Sequence, residues 1–254
     1  MTDIRILDTM SQYEQAVDVE IAVWGVDPRE CIPTSFMRAN QAAGGVNLGA
    51  FHGDRMIGFC IGFPGLRDGR IILWSAIAGV LPEYQGQSVG ANLKVFQFDW
   101  ARANGFSEVR WTYDPLQAGN AHFNLHILGA TANVYHVNFY GVMNDAINKG
   151  LETDRVEAAV SMAEPYSLPR RGAFQGDALD VLHVGADGLP QRLDFRDAPV
   201  IRAAMPQKIR QLDPQAKHVW RIAVRETLQH YFARGYSAVD IVRETTSSAY
   251  ILRK

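Results

Sequence analysis

Small residues and amides crowd the stretch from Gln85 to Gly90, which stands between an apolar run and an amphipathic segment. Gly86 and Ser88 would let an anion approach the main chain, and Gln85 and Gln87 add side-chain donors. Where a helix begins, several main-chain N–H groups lie unpaired at the positive end of the helix dipole, which suits a pyrophosphate. The spacing is neither that of the lysine-bearing phosphate loop nor Gly-x-Gly-x-x-Gly. The stretch therefore predicts an anion-binding turn, with a tight strand-to-helix turn as the alternative.

Hydrophobic spacing predicts the elements on both sides of this turn. The apolar run at 71–81 has about half of the ~20 residues that span a bilayer, so it is predicted to be a buried strand. After the turn, apolar residues recur at intervals of three and four, and a glycine, Gly105, follows them. This pattern, with Val89, Leu93, Phe96 and Trp100 at helical spacing, predicts a helix over 88–104.

Turn residues and periodicity organise the rest of the chain. Up to residue 163 they predict the order strand, two helices, three strands, helix, strand, helix, two strands, with Ser11 as the N-cap of the first helix. Pro, Gly and Arg accumulate at 165–178, which predicts a linker. The sequence therefore predicts a larger domain at 1–165 and a small strand–helix–strand domain at 166–254, in a mixed α+β class.

Composition limits the partners and the compartment. The 254 residues carry a formal charge of −2, with 47% hydrophobic and 20% charged residues, so no excess of basic residues is available for nucleic acid. The first 15 residues lack the basic start and apolar run of a secretory signal, so none is expected, and no apolar run is long enough for a membrane span. Cys31 and Cys60 are the only thiols, so we expect a reduced, cytoplasmic protein without a thiol-based metal site.

The segment "GVLPEYQGQSVGANL" resembles the acyl-CoA signature of the GNAT superfamily of N-acyltransferases. The core of that signature is Gln or Arg, two residues, Gly, one residue, and then Gly or Ala. Gln85, Ser88 and Gly90 occupy those places, with Ser88 where the family usually has Gly. The resemblance covers residues 1–163, where the order of elements is also that of the family, in a branch with an extra carboxy-terminal region.

The resemblance implies a central mixed, mostly antiparallel sheet flanked by helices, and acetyl-CoA or another acyl-CoA as co-substrate without a metal. It implies that the main-chain N–H near Val80 faces the thioester oxygen. It places Asn120 against the pantetheine arm, with a helix cap or a turn former as the alternative role. Some relatives acylate amino acids from acetyl- or succinyl-CoA, so a small-molecule amine is the implied acceptor. The resemblance also implies a pyrophosphate turn formed by Gln85, Gly86, Gln87, Ser88, Val89 and Gly90.

The catalytic acid and base are less well specified. Many family members place a Tyr four residues before the glycine that closes the helix after the fifth strand, and here that position is Leu125. Tyr140, predicted on the following strand, is our first candidate for a proton donor, with a packed aromatic as the alternative. His126, on one helix face with His122, is a candidate base through water, and a metal pair is disfavoured. Asp114 is a third candidate and otherwise a turn residue.

The carboxy-terminal unit leaves two matters open. Arg221 and Arg225 are four residues apart on its helix and could receive a carboxylate, although we favour a solvated cationic stripe. The unit could cover the acceptor side of the main domain or form a homodimer contact. Two other functions compete with a transferase: a catalytically weak CoA-binding or ligand-sensing module, and a structural partner protein.

Overall fold

The computed structural model describes residues 2–141, 152–169, 172 and 174–254. The chain forms two compact units, Met1–Trp111 with Val160–Ser167, and Thr112–Ala159 with Leu168–Lys254. This compactness groups residues 112–159 with the carboxy-terminal part of the chain. The predicted boundary at residue 165 between two domains stays a prediction.

In the first unit the strands are hydrogen-bonded in the order β1-β2-β3-β4-β5, antiparallel except for the parallel pair β4–β5. The side chain of Thr9 accepts from the N–H of Gln12 in a capping box, so the prediction of Ser11 as the cap was wrong. The elements of this unit are β1 (Asp3–Ile6), α1 (Met10–Trp24), α2 (Thr34–Ala42), β2 (Val46–His52), β3 (Arg55–Arg67), β4 (Arg70–Val80), α3 (Val89–Ala103) and most of β5 (Glu108–Tyr113).

Successive side chains of β3 point to opposite faces of the sheet, and helices pack on both faces. Phe59 and Ile61 face the core that α1 and α2 close with Tyr13 and Met37. The intervening positions face α3, and a Cβ added at Gly58 would meet Leu93 at 3.3 Å. The glycine thus allows α3 to lie close to the sheet.

Strand β4 carries an irregularity just beyond its last pair with β5. Ile77 pairs with Ile61 of β3 while Ser75 pairs with Gly62, so the residue between them is a β-bulge. On the other side, β4 pairs with β5 at Leu73–Val109 and Trp74–Arg110. Among the described residues, no β5 partner follows Trp74 along β4.

In the second unit the strands follow the order β7-β6-β11-β12-β10-β8-β9, and the predicted hairpin turn at Asp187-Gly188 is confirmed. Helix α5 begins at Pro214, where the Asp213 side chain accepts from the N–H of Ala216. The elements are α4 (Ala118–Ala121), continued by a π-helical segment (His122–Ile127), then β6 (Thr131–His136), most of β7 (Arg155–Ser161), β8 (Leu179–Val184), β9 (Pro190–Arg192), β10 (Val200–Pro206), α5 (Pro214–Phe232), β11 (Ser237–Arg243) and β12 (Ser247–Arg253).

The predicted fold class, a mixed, mostly antiparallel sheet flanked by helices, is confirmed. The predicted linker at 165–178 has neither helix nor strand in its described part, and its residues 170, 171 and 173 lie outside the described residues. Of the helices in the described ranges, none is both long and apolar enough to cross a membrane.

Candidate active site

The turn between β4 and α3 has an open main chain. A short 3-10 turn at Pro82–Tyr84 leads into Gly86, whose φ of +76° is in the left-handed region, and an added Cβ there would meet nothing within 4 Å. Ser88 also has a positive φ, +62°, which glycine adopts without cost and serine does not. Ser88 stands where this signature usually has Gly, so the backbone is strained at this residue.

Main-chain donors converge at this turn. The N–H groups of residues 86–91 have no acceptor among the described residues, and the first helical bond to the turn runs from Asn92 N to Ser88 O at 2.9 Å. The Ser88 side chain makes no capping hydrogen bond, and the turn is exposed from Gln85 to Ser88. The turn is thus exposed up to Ser88, whereas Val89 and Ala91 are buried, and the positive end of the dipole of a 15-residue helix lies there.

The two glutamines of the turn point back to the protein. Gln85 Nε2 donates to Val80 O at 3.0 Å, and Gln87 Nε2 donates to Glu83 O at 2.9 Å. Their predicted use as anion donors is therefore limited to the remaining N–H of each amide. In this arrangement the glutamines hold the shape of the turn.

The main chain of Val80 faces the edge of β4 that lies away from β3. Leu81 N donates to Ile57 O at 2.9 Å, so in the alternation of an antiparallel pair the polar groups of Val80 point away from β3. Gln85 accordingly reaches Val80 O from that side. This orientation supports the predicted role of the N–H near Val80, which stays a prediction.

In the second unit, a histidine–aspartate pair lies on the π-helical segment. His126 Nδ1 is 2.9 Å from Asp240 Oδ1, and its ring stacks on His122 with centroids 4.7 Å apart. Burial, with the neighbouring His126 next in importance, lowers the pKa of His122. Within the described ranges no group of three or more His, Cys, Asp and Glu side chains is arranged to hold a metal.

Tyr140 lies in a turn and not on the strand where it was predicted, because β6 ends at His136. Its hydroxyl is 3.2 Å from Thr112 Oγ1, and the residue is 47% exposed. Asn120 is also exposed; it is inside α4 and not at its cap, and its side chain has no hydrogen-bond partner in the described part of the chain. Both side chains are therefore accessible.

Asp114 forms a buried salt bridge with Arg221. Its two oxygens accept from Arg221 Nη1 at 2.6 Å and Nη2 at 3.0 Å, and the pair is buried, with side chains 6% and 1% exposed. Arg225 similarly holds Asp154 and Glu152. The solvated cationic stripe favoured for Arg221 and Arg225 was wrong, because both guanidinium groups receive carboxylates of this unit. Of the three catalytic candidates, Asp114 has the least support.

No protein-family model matches the sequence, and no curated protein sequence matches it. Solved structures do match. The ribosomal-protein-S18-alanine N-acetyltransferase of Escherichia coli superposes with a TM-score of 0.52 at 18% identity, over 65% of this chain and 96% of that one. A GNAT-family protein of Desulfovibrio desulfuricans gives 0.51 at 15% identity, over 64% and 100%. The NatC complex bound to Gag peptide and CoA gives 0.50 at 12% identity, over 63% and 98%.

The fold is that of the GNAT acetyltransferases. About a third of the chain lies beyond the matched part, since each superposition covers 63–65% of it while covering nearly all of the partner. Leu125 occupies the position where many proteins of this fold have a Tyr that donates a proton, and it is fully buried.

Two residues of interest were missed from the sequence. Asp240 pairs with His126 across 114 residues, and no local pattern links them. Lys94 is 3% exposed, although it stands in the apolar register of α3 next to Leu93. A lysine at a helix position flanked by core residues is a signal that could have been noticed.

Proposed function

We propose that the chain is an acyl-CoA-dependent N-acyltransferase that moves an acetyl group to the amino group of a small molecule. One observation carries this proposal: an exposed strand-to-helix turn with unpaired N–H groups at residues 86–91, in a GNAT fold. Oriented main-chain donors at a helix entry favour a diphosphate. Gly86, Ser88, Val89 and Gly90 would hold the diphosphate of CoA, and Gln85 and Gln87 would shape the turn.

The chemistry is direct aminolysis. The amine nitrogen attacks the thioester carbonyl, the C–N bond forms, the C–S bond breaks, and CoA leaves as a thiolate. A base takes the proton that the amine loses, and the thiolate is protonated by an acid or by water. The outward N–H near Val80 would stabilise the oxyanion formed on the carbonyl oxygen, because a fixed donor there requires no reorganisation.

His126 is the proposed base. When Nδ1 donates its proton to Asp240, Nε2 keeps a lone pair that can accept a proton through water. Tyr140 is the proposed proton donor, with its hydroxyl held near Thr112.

The acceptor is proposed to carry a carboxylate besides its amine, as an amino acid does. The second unit has a cleft of about 260 Å³ that Gln117 and Gly119, next to Asn120, share with a segment bearing Lys208 and Arg210. Both cations are exposed and would favour an anionic group. A small molecule matches the size of this cleft better than a protein surface does.

Thiol release with acetyl-CoA, in the presence of amino acids and of amines that lack a carboxylate, tests the function. We expect amine-dependent release and an acetylated product of the correct mass, with amino acids preferred. Release that does not depend on any amine, or no release together with no binding of CoA, would contradict the proposal. Activity on carboxylate-free amines alone would contradict only the acceptor class.

A CoA-binding module without transfer is the second candidate, because Leu125 replaces the expected acid and is buried. It predicts that CoA binds and that no amine in the panel is acylated.

A further inference from the structure

A buried lysine lies where strands β4 and β5 stop pairing. Lys94 Nζ donates to Ser75 Oγ at 2.9 Å and lies 4.0 Å from the centroid of the Trp111 ring. The last β4–β5 pair is Trp74–Arg110. Ser75 and Trp111 are the next residues along β4 and β5, so the ammonium group contacts both strands just beyond their last mutual pair.

The same lysine is tied to the bulge of β4. Ser75 immediately precedes the extra residue at position 76, and Lys94 holds its hydroxyl from α3. A second bond runs from Lys94 Nζ to Gln97 Oε1 at 2.9 Å, within the same helix. Beyond the bulge, the N–H of Val80 faces the edge away from β3. The orientation of those N–H groups thus depends on where the bulge is held.

The burial of Lys94 removes its ammonium group from water, and packing alone does not explain why this desolvation cost is met. Among the described residues no carboxylate pairs with it; the facing titratable group is the thiol of Cys60, which lies 3.7 Å from Ser75 Oγ. Burial lowers the pKa of Lys94 to about 8. An apolar side chain would fill the site without this desolvation penalty. The lysine is therefore better explained by what its ammonium group holds than by packing.

We propose that Lys94 is a positioning residue that fixes the bulge of β4, and through it the main-chain N–H groups that face the acyl thioester. This role rests on the proposed transferase function. The lysine touches neither substrate nor cofactor in this account. It acts through Ser75 on one strand and Trp111 on the other.

The test compares Lys94→Met, which removes the charge and keeps an unbranched side chain only one atom shorter, with Ser75→Ala, which removes the same contact from the strand. Ser75→Thr keeps a hydroxyl and is the matched control. We expect kcat to fall by about tenfold to a hundredfold in Lys94→Met and Ser75→Ala, as for a modest misplacement of a reacting group. The KM for acetyl-CoA and the affinity for CoA should stay within about twofold, because the turn at 86–91 is unchanged. Ser75→Thr should have the kcat of the wild type.

Amide hydrogen exchange provides a readout that does not depend on activity. Exchange at Ile77 and Gly79 should become at least about tenfold faster in both variants if the bulge loosens. Unchanged kcat and unchanged exchange in both variants would overturn the positioning role, as would equal losses of kcat and CoA affinity. If Lys94→Met fails to fold, Ser75→Ala decides. A wild-type protein without transfer activity would contradict the proposed function, and the exchange rates would then decide the role of Lys94 alone.

Discussion

At the scale of single residues, Ser88 combines a functional position with an unfavourable conformation. Its φ of +62° costs an L-residue about 1 kcal/mol or more relative to glycine. We expect Ser88→Gly to raise the free energy of unfolding by up to about 1 kcal/mol, with part of the gain offset by the flexibility of glycine in the unfolded chain. Chemical denaturation measures this change. A loss of stability would mean that the Ser88 side chain makes a favourable contact that outweighs the strain.

His126 and Asp240 form the residue pair on which the proposed proton transfer depends. We expect His126→Gln to lower kcat by about 100-fold, the usual contribution of a general base. Asp240→Asn should give a smaller loss, because the imidazole remains but loses the partner that orients it. His122→Gln, one turn earlier on the same face, is the matched control and should retain kcat within about twofold. Equal activity in His126→Gln and the wild type would remove His126 from the mechanism.

At the scale of elements, the turn between β4 and α3 can be tested with one glycine pair. Gly86 and Gly69 have nearly the same φ, +76° and +74°, and an added Cβ meets nothing within 4 Å at either. We expect Gly86→Glu to weaken CoA binding by at least about 100-fold, which corresponds to ~3 kcal/mol, through charge repulsion and bulk. Gly69→Glu carries the same strain in the β3–β4 turn and should bind CoA as the wild type does. Calorimetric titration distinguishes the two, and similar affinities would contradict the assignment.

The buried Lys94 of α3 should make the free energy of unfolding depend on pH. Its pKa is lowered by burial to about 8 from 10.5, so between these values the unfolded chain binds a proton that the folded chain does not. Stability contributed at this site therefore rises as the pH increases through that range. Relative to Lys94→Met, the wild type should gain about 2 kcal/mol in free energy of unfolding between pH 7 and pH 10. A difference that stays constant over this range would mean that the lysine titrates normally.

Most elements could be predicted because their boundaries are encoded locally. Glycines after α2 and α3, and the turn at Asp187-Gly188, stop elements in a way that only nearby residues determine. The capping of α1 was misplaced because Thr9 and Ser11 are both good caps, and only the capping box with Gln12 selects one. The strand β6 was predicted too long, because Val137, Phe139 and Tyr140 are strand-forming types. The chain turns after His136, and Asn138 takes a left-handed φ of +47° there.

At the scale of the whole molecule, the contacts hidden from the sequence are those between distant segments. Arg221 reaches Asp114 across 107 residues, and a buried arginine cannot be recognised from spacing that also suits an exposed face. Removing one partner would leave a buried charge without compensation. The strand-to-helix turn at residues 85–90 was predicted because its residue types are local, whereas the partner of His126, the burial of Lys94 and the cleft beside Gln117 depend on tertiary structure. The division into domains and the dimer contact stay predictions.

The central claim is that the main-chain N–H groups at the entry to α3 hold the diphosphate of CoA. The most direct measurement is the ¹H–¹⁵N spectrum of the labelled chain during titration with CoA and, separately, with pantetheine, which lacks the diphosphate. The account predicts that the amides of residues 86–91 shift most on addition of CoA and little on addition of pantetheine. Binding of CoA that leaves these amides unshifted, or no binding at millimolar CoA, would contradict it.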